Sequence, residues 1–142
     1  VQGEGASPIS NAFLTGKMDI KNISKPETIA TAIRIGAPAS WKKALRAIYD
    51  SNGSAEIVSD KEILDAQLTL AKLEGLFIEP ASATPIAALK KLLRKGVISS
   101  DDEVVCIATG HGLKDPDVIT KFVEKPVEVS PDIDEIKKLV QT

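Results

Sequence analysis

The chain has 142 residues, with 18 basic and 20 acidic side chains, 4% aromatics, one histidine and one cysteine. That length suits one domain with its own core, and interspersed, nearly balanced charge without an aromatic-basic stripe argues against nucleic acid as a partner. No apolar run approaches the roughly 20 residues of a membrane span, and a lone cysteine excludes internal disulfides and multi-cysteine zinc sites, so a cytoplasmic setting is expected.

The opening "VQGEGASPIS" has neither the basic front nor the apolar segment of a signal peptide. Its first residues read as the end of a strand, so the chain is expected to be a fragment. In "SPISNAFLTG", Ser7 is expected to cap a helix, with Pro8 in its first turn and Gly16 at its end. A polar loop follows from Lys17 to Lys25. "KPETIATAIRIG" shows helical spacing at Ile29, Ala32, Ile33 and Gly36, which predicts a second helix. "GAPAS" breaks it, and Ser40 is expected to cap a helix over Trp41 to Asp50 with Trp41, Ala44, Leu45 and Ile48 on one face.

"SAEIVSD" reads as a short strand, and Ser59-Asp60-Lys61-Glu62 as a capping box opening the next helix. That helix carries Ile63, Leu64, Leu68, Ala71 and Leu73 and closes at Gly75. "LFIEPAS" is a brief extended run into a helix from Thr84 to Lys95, stopped by Gly96. "EVVCIAT" has the composition of a fully buried strand. A short helix over Lys114 to Glu124 and an amphipathic tail helix in "SPDIDEIKKLV", acids first and lysines last, complete the chain. Alternating helices and strands predict an α/β fold, a partial open, mainly parallel sheet flanked by helices.

In such sheets ligands bind beyond the carboxyl ends of strands. "GEGASP", "EPASAT" and "TGHG" fit that description, each joining a strand end to a glycine- or serine-rich turn, although plain turns have the same composition. Cys106, inside the apolar run, reads as a small buried hydrophobe. His111 either bonds its own turn or faces a ligand, and with one cysteine it makes no metal site unaided. Glu79 either caps the following helix or approaches a ligand. Arg34 either makes a salt bridge or binds an anionic substrate with its planar fork. Trp41 reads as core, and Lys42-Lys43 and Lys90-Lys91 as solvated faces. No phosphate-binding glycine loop and no serine-hydrolase elbow is present.

Together, "VQGEGASPI", "PETIATAIRIGAPASWKKAL", "VSDKEIL", "LEGLFIEPASATPIAAL" and "VVCIATGHGLKDPD" resemble, in the same order, the threonine synthases. These are tryptophan-synthase-β-like, fold type II enzymes using pyridoxal 5'-phosphate, and "ATAIRIG" and "TGHGLKDP" resemble them before their dehydratase relatives. The resemblance implies conversion of O-phosphohomoserine and water to threonine and phosphate. It implies that the Thr109 hydroxyl meets the pyridine nitrogen of the cofactor, and that Gly110 and Gly112 let the backbone pass close to the ring.

The family's Schiff-base lysine, in an "S-F-K-D" type context, and its phosphate loop precede "VQGEG", and none of these lysines has that context. The chain is therefore expected to be the C-terminal part of the cofactor-binding large domain, residues 1–142, with 118–142 as a helical tail. It is expected to be inactive alone, completed by an N-terminal part of the same enzyme and by homodimerisation, with no catalytic residue of its own and no assigned substrate ligand. The alternatives are a serine/threonine dehydratase of the same fold, decided by phosphate release from O-phosphohomoserine, and a non-catalytic binding module, favoured by tight pyridoxal phosphate binding.

Overall fold

The computed structural model describes residues 1–123 and 127–140. Strand β1 (Gln2–Gly3) pairs in parallel with β2 (Ile57–Val58), in the register Gln2 to Ile57 and Gly3 to Val58. Helices α1 (Pro8–Leu14), α2 (Trp41–Asp50), α3 (Asp60–Glu74), α4 (Pro80–Arg94), α5 (Pro116–Thr120) and α6 (Ile133–Val140) accompany this small sheet. The expected α/β organisation is present. No helix among the described residues is long and apolar enough to cross a membrane.

The core lies between α3, α4 and β2, where Val58, Ile63, Ala66, Ile78, Ala83, Ala87 and Ala88 are buried together. Helix α3 starts as its sequence predicts. The Ser59 hydroxyl accepts from the Glu62 amide, the Glu62 carboxylate accepts from the Ser59 amide at 2.8 Å, and Gly75 ends the helix at φ 67°. Its buried stripe differs from the expected one. Ile63, Ala66 and Gln67 face α4, while Leu68 and Leu73 are exposed. Gln67 is admitted to the core because its Nε2 donates to the Ile78 carbonyl at 2.6 Å.

Helix α4 begins earlier than expected, with Pro80 at its first position, where the missing N–H costs nothing. Lys91 on this helix is not simply solvated. Its ammonium donates to the Ile57 carbonyl at 2.7 Å and to Glu62 at 3.0 Å, tying α4 to β2 and to the capping box. Nearby, Glu56 is buried and bonded to Lys95. Burial opposes its charge, but the Lys95 and Ile57 hydrogen bonds outweigh that and hold its carboxyl below the ordinary value. The same balance, burial against the Ser59 amide and Lys91, lowers Glu62.

Five expectations need correction. The segment "KPETIATAIRIG" holds only a 3-10 turn at Thr31–Ile33. The Asp60 carboxylate takes the Ile29 amide at 3.1 Å and the Thr28 hydroxyl at 2.6 Å, so tertiary partners compete with a helix here. Ser7 does not cap α1: its hydroxyl donates to the Glu4 carbonyl, and the Gln2 side chain accepts from the Ile9 and Ser10 amides in its place. Ser40 makes no side-chain cap, although α2 half-buries the expected face and fully buries Leu45. The run Val104–Thr109 forms no strand, with Val105 85% and Ile107 72% exposed, and Cys106 only half-buried. Strand-forming side chains are stabilised by neighbours on a pleated surface, and no ladder among the described residues reaches this run. The helix expected over Lys114 to Glu124 is shorter, a 3-10 turn at Gly112–Lys114 followed by α5, and Glu124 lies outside the described residues.

Candidate functional site

Two of the three turns singled out in the sequence meet at one place. The residues before α4 run antiparallel to the segment after Thr109. The Glu79 amide donates to the Gly110 carbonyl at 2.9 Å, the Gly112 amide donates to the Phe77 carbonyl at 2.9 Å, and Ile78 bridges His111. "GEGASP" is elsewhere, and Gly5 accepts the Glu27 amide through its carbonyl.

Thr109 is exposed at the end of this apolar run, and its hydroxyl lies 2.8 Å from Ser82 Oγ and 3.4 Å from Glu79 Oε1. Glu79 occupies the N-cap position of α4, yet its side chain bonds no amide there. The carboxylate instead reaches across to Lys114, 3.0 Å away, and is 5% exposed. Its charge is thus balanced inside the protein by a lysine from the opposite turn.

Gly110 and Gly112 allow this convergence. A Cβ on Gly110 would overlap the Glu79 carboxylate, and one on Gly112 would overlap the Phe77 ring. The space they vacate is therefore filled by the chain's own side chains. The Gly110 amide and carbonyl are both bonded within the protein, to Ser82 Oγ and the Glu79 amide. His111 stacks edge-on against Phe77, and its Nδ1 accepts from the Leu113 amide at 3.1 Å, which puts its neutral-state proton on Nε2. It bonds its own turn, the plainer of the two readings.

Ser82, 2% exposed, escaped the sequence reading. A serine in the first turn of a helix is commonplace within a local window, and its partners lie 27 and 28 residues away. Arg34 stands apart from this cluster. Its Nε and Nη2 donate to the Thr28 carbonyl at 2.9 and 2.7 Å, so one edge of the fork is held by backbone. It lines a depression of about 520 Å³ with Asp60, Lys121 and Phe122, to which neither Thr109 nor Ser82 contributes. Among the described residues, no group of three or more His, Cys, Asp or Glu side chains gathers to hold a metal.

A pyridoxal phosphate ring would fit this donor set at one point. Thr109, on an exposed residue, offers a neutral hydroxyl, whereas the nearest carboxylate is already paired with a lysine.

Known proteins bear on this geometry. The chain is 52% identical to a threonine synthase of Methanocaldococcus jannaschii and 50% identical to one of Methanosarcina acetivorans, each alignment covering 99% of this chain and 35% of the relative. It thus spans about a third of the length of these curated relatives. Among solved structures, maize serine racemase superposes with a TM-score of 0.53 at 24% identity, over 70% of this chain and 28% of that one. The threonine deaminase of T.th. superposes with a TM-score of 0.50 at 22% identity, over 67% and 32%. At such identities these likenesses speak to the fold, which is that of fold type II enzymes. The profile of the family described as "Pyridoxal-phosphate dependent enzyme" matches residues 1–110, more than half of the chain, and the chain belongs to that family.

Proposed function

We propose that the chain is the C-terminal portion of a threonine synthase, residues 1–142 of the pyridoxal-phosphate-binding large domain, with 118–142 as a helical tail. The observation that carries this reading is about 50% identity to threonine synthases along 99% of the chain, against 22% to a threonine deaminase. The complete enzyme would convert O-phosphohomoserine and water to threonine and phosphate. When bound, pyridoxal phosphate supplies the electron withdrawal that lets phosphate leave and water add.

This chain's part is to orient the ring. Thr109 would meet the pyridine nitrogen with its hydroxyl, with Gly110 beside it in the same turn. The lysine that attaches the cofactor comes from the rest of the enzyme, and the chain alone is inactive. The exposed apolar run Val104–Ile107 supports a covering surface, supplied by that remainder or by a second copy in a homodimer. A lone free cysteine is compatible with the cytoplasm.

In the complete enzyme, Thr109→Val should shift or weaken the visible absorption of bound pyridoxal phosphate and slow phosphate release. An unchanged spectrum and rate would remove Thr109 from the site. Phosphate release from O-phosphohomoserine by this chain alone would overturn the division of labour.

A further inference from the structure

Ser82 stands at the third position of α4, and its oxygen has four polar neighbours. The amides of Thr109 and Gly110 lie at 3.0 and 2.9 Å, Thr109 Oγ1 at 2.8 Å and Glu79 Oε1 at 3.5 Å. A serine hydroxyl has two lone pairs and one hydrogen. The two amides can only donate, so they occupy both lone pairs. The hydrogen is left for one of the two oxygens. A separation of 2.8 Å is ordinary for O–H···O, and 3.5 Å is beyond that range. Ser82 therefore donates to Thr109.

The direction of that bond leaves Thr109 its hydrogen. With Ser82 as its donor, Thr109 keeps its own hydrogen for another acceptor. Glu79 Oε1, at 3.4 Å, is too distant to hold it firmly, and the other oxygen of that carboxylate is engaged by Lys114. The Thr109 hydroxyl is thus left as a weakly held donor on an exposed residue.

We propose that Ser82 is a positioning residue for the cofactor, one that fixes the Thr109 hydroxyl as a hydrogen-bond donor so that the pyridine nitrogen is held as an unprotonated acceptor. The inference rests on the assignment of Thr109 to the ring nitrogen. It adds the buried side chain that sets the Thr109 hydroxyl. A ring nitrogen held this way carries no full positive charge, which makes the cofactor a milder electron sink than one protonated by a carboxylate partner.

The test is the ring-nitrogen resonance of 15N-labelled pyridoxal phosphate in the complete holoenzyme. In the unaltered enzyme the resonance should lie in the range of a hydrogen-bonded, unprotonated pyridine. Thr109→Val and Ser82→Ala should both move it towards free pyridine, and Ser82→Thr, which keeps the hydroxyl, should restore it. The affinity of the apoenzyme for the cofactor should fall about fivefold in Ser82→Ala, the factor expected for one ordinary hydrogen bond. If Ser82→Ala does not fold, Ser82→Cys, a weaker donor, should move the resonance part of the way. A resonance that moves in Thr109→Val but in no Ser82 variant would overturn the role of Ser82 and leave Thr109 in place. A resonance that moves in neither overturns the assignment of Thr109 as well, and a protonated ring in the unaltered enzyme overturns the donor direction.

Discussion

Replacing Lys114 by methionine would leave a buried carboxylate without its cation. The Glu79 side chain is 5% exposed while that of Lys114 is 61% exposed, so the pair is buried at one end and wet at the other. Exposed pairs contribute up to about 1 kcal/mol, and removing one member of a fully buried pair costs about 3–5 kcal/mol. A half-buried pair belongs between them, and Glu79 has only the Ser82 and Thr109 hydroxyls, at 3.5 and 3.4 Å, to fall back on. Lys114→Met should therefore destabilise the chain by about 2 kcal/mol, mostly as the cost of an orphaned charge. The assay is urea denaturation at neutral pH as a double-mutant cycle with Glu79→Gln, which removes the charge but keeps the shape. In the Glu79→Gln background, Lys114→Met should cost less than about 0.5 kcal/mol, the scale of an ordinary surface substitution. Equal costs in both backgrounds would show that Lys114 acts through packing of the turn and would refute the charge argument.

Ser59→Ala should cost about 1 kcal/mol in the same assay, the usual value of an N-cap, because the capping box is complete on both sides. Ile63→Ala, at a fully buried position facing α4, should cost about 2–5 kcal/mol. Glu56 and Glu62 have folded carboxyl pKa values below the ordinary 4.5, so they bind fewer protons folded than unfolded above those values. Their contribution is present above pH 4.5 and is lost as pH falls through the lower folded values; combining Glu56→Gln with Glu62→Gln should flatten stability against pH in that acid window.

The helices read most clearly in the sequence are those whose ends are written within one turn. Ser59 and Glu62 are three residues apart, Gly75 turns left-handed after Glu74, and Pro80 opens α4, each a bond or torsion local to its own window. Thr109 and Glu79 stood out in the sequence by motif and position, and "EPASAT" and "TGHG" as turns, and the structure brings these two turns together. The geometry of the site was not legible. Neither spacing nor composition says that Ser82 takes the Thr109 and Gly110 amides, or that Lys114 balances Glu79, because those partners are set by two segments meeting.

The same division runs through the fold. The sequence by itself determined the alternation of elements, the capping box and the family motifs, since neighbouring residues decide caps, turns and apolar period. Only the tertiary structure decided that Gln2 caps α1, that Asp60 draws the Thr28 hydroxyl and Ile29 amide out of a helical pattern, and that Gln67 enters the core on the Ile78 carbonyl. It also left the apolar run Val104–Ile107 unpaired and exposed. Strand pairing and buried polar bonds depend on partners distant along the chain, and a local pattern can announce the need for such partners without supplying them.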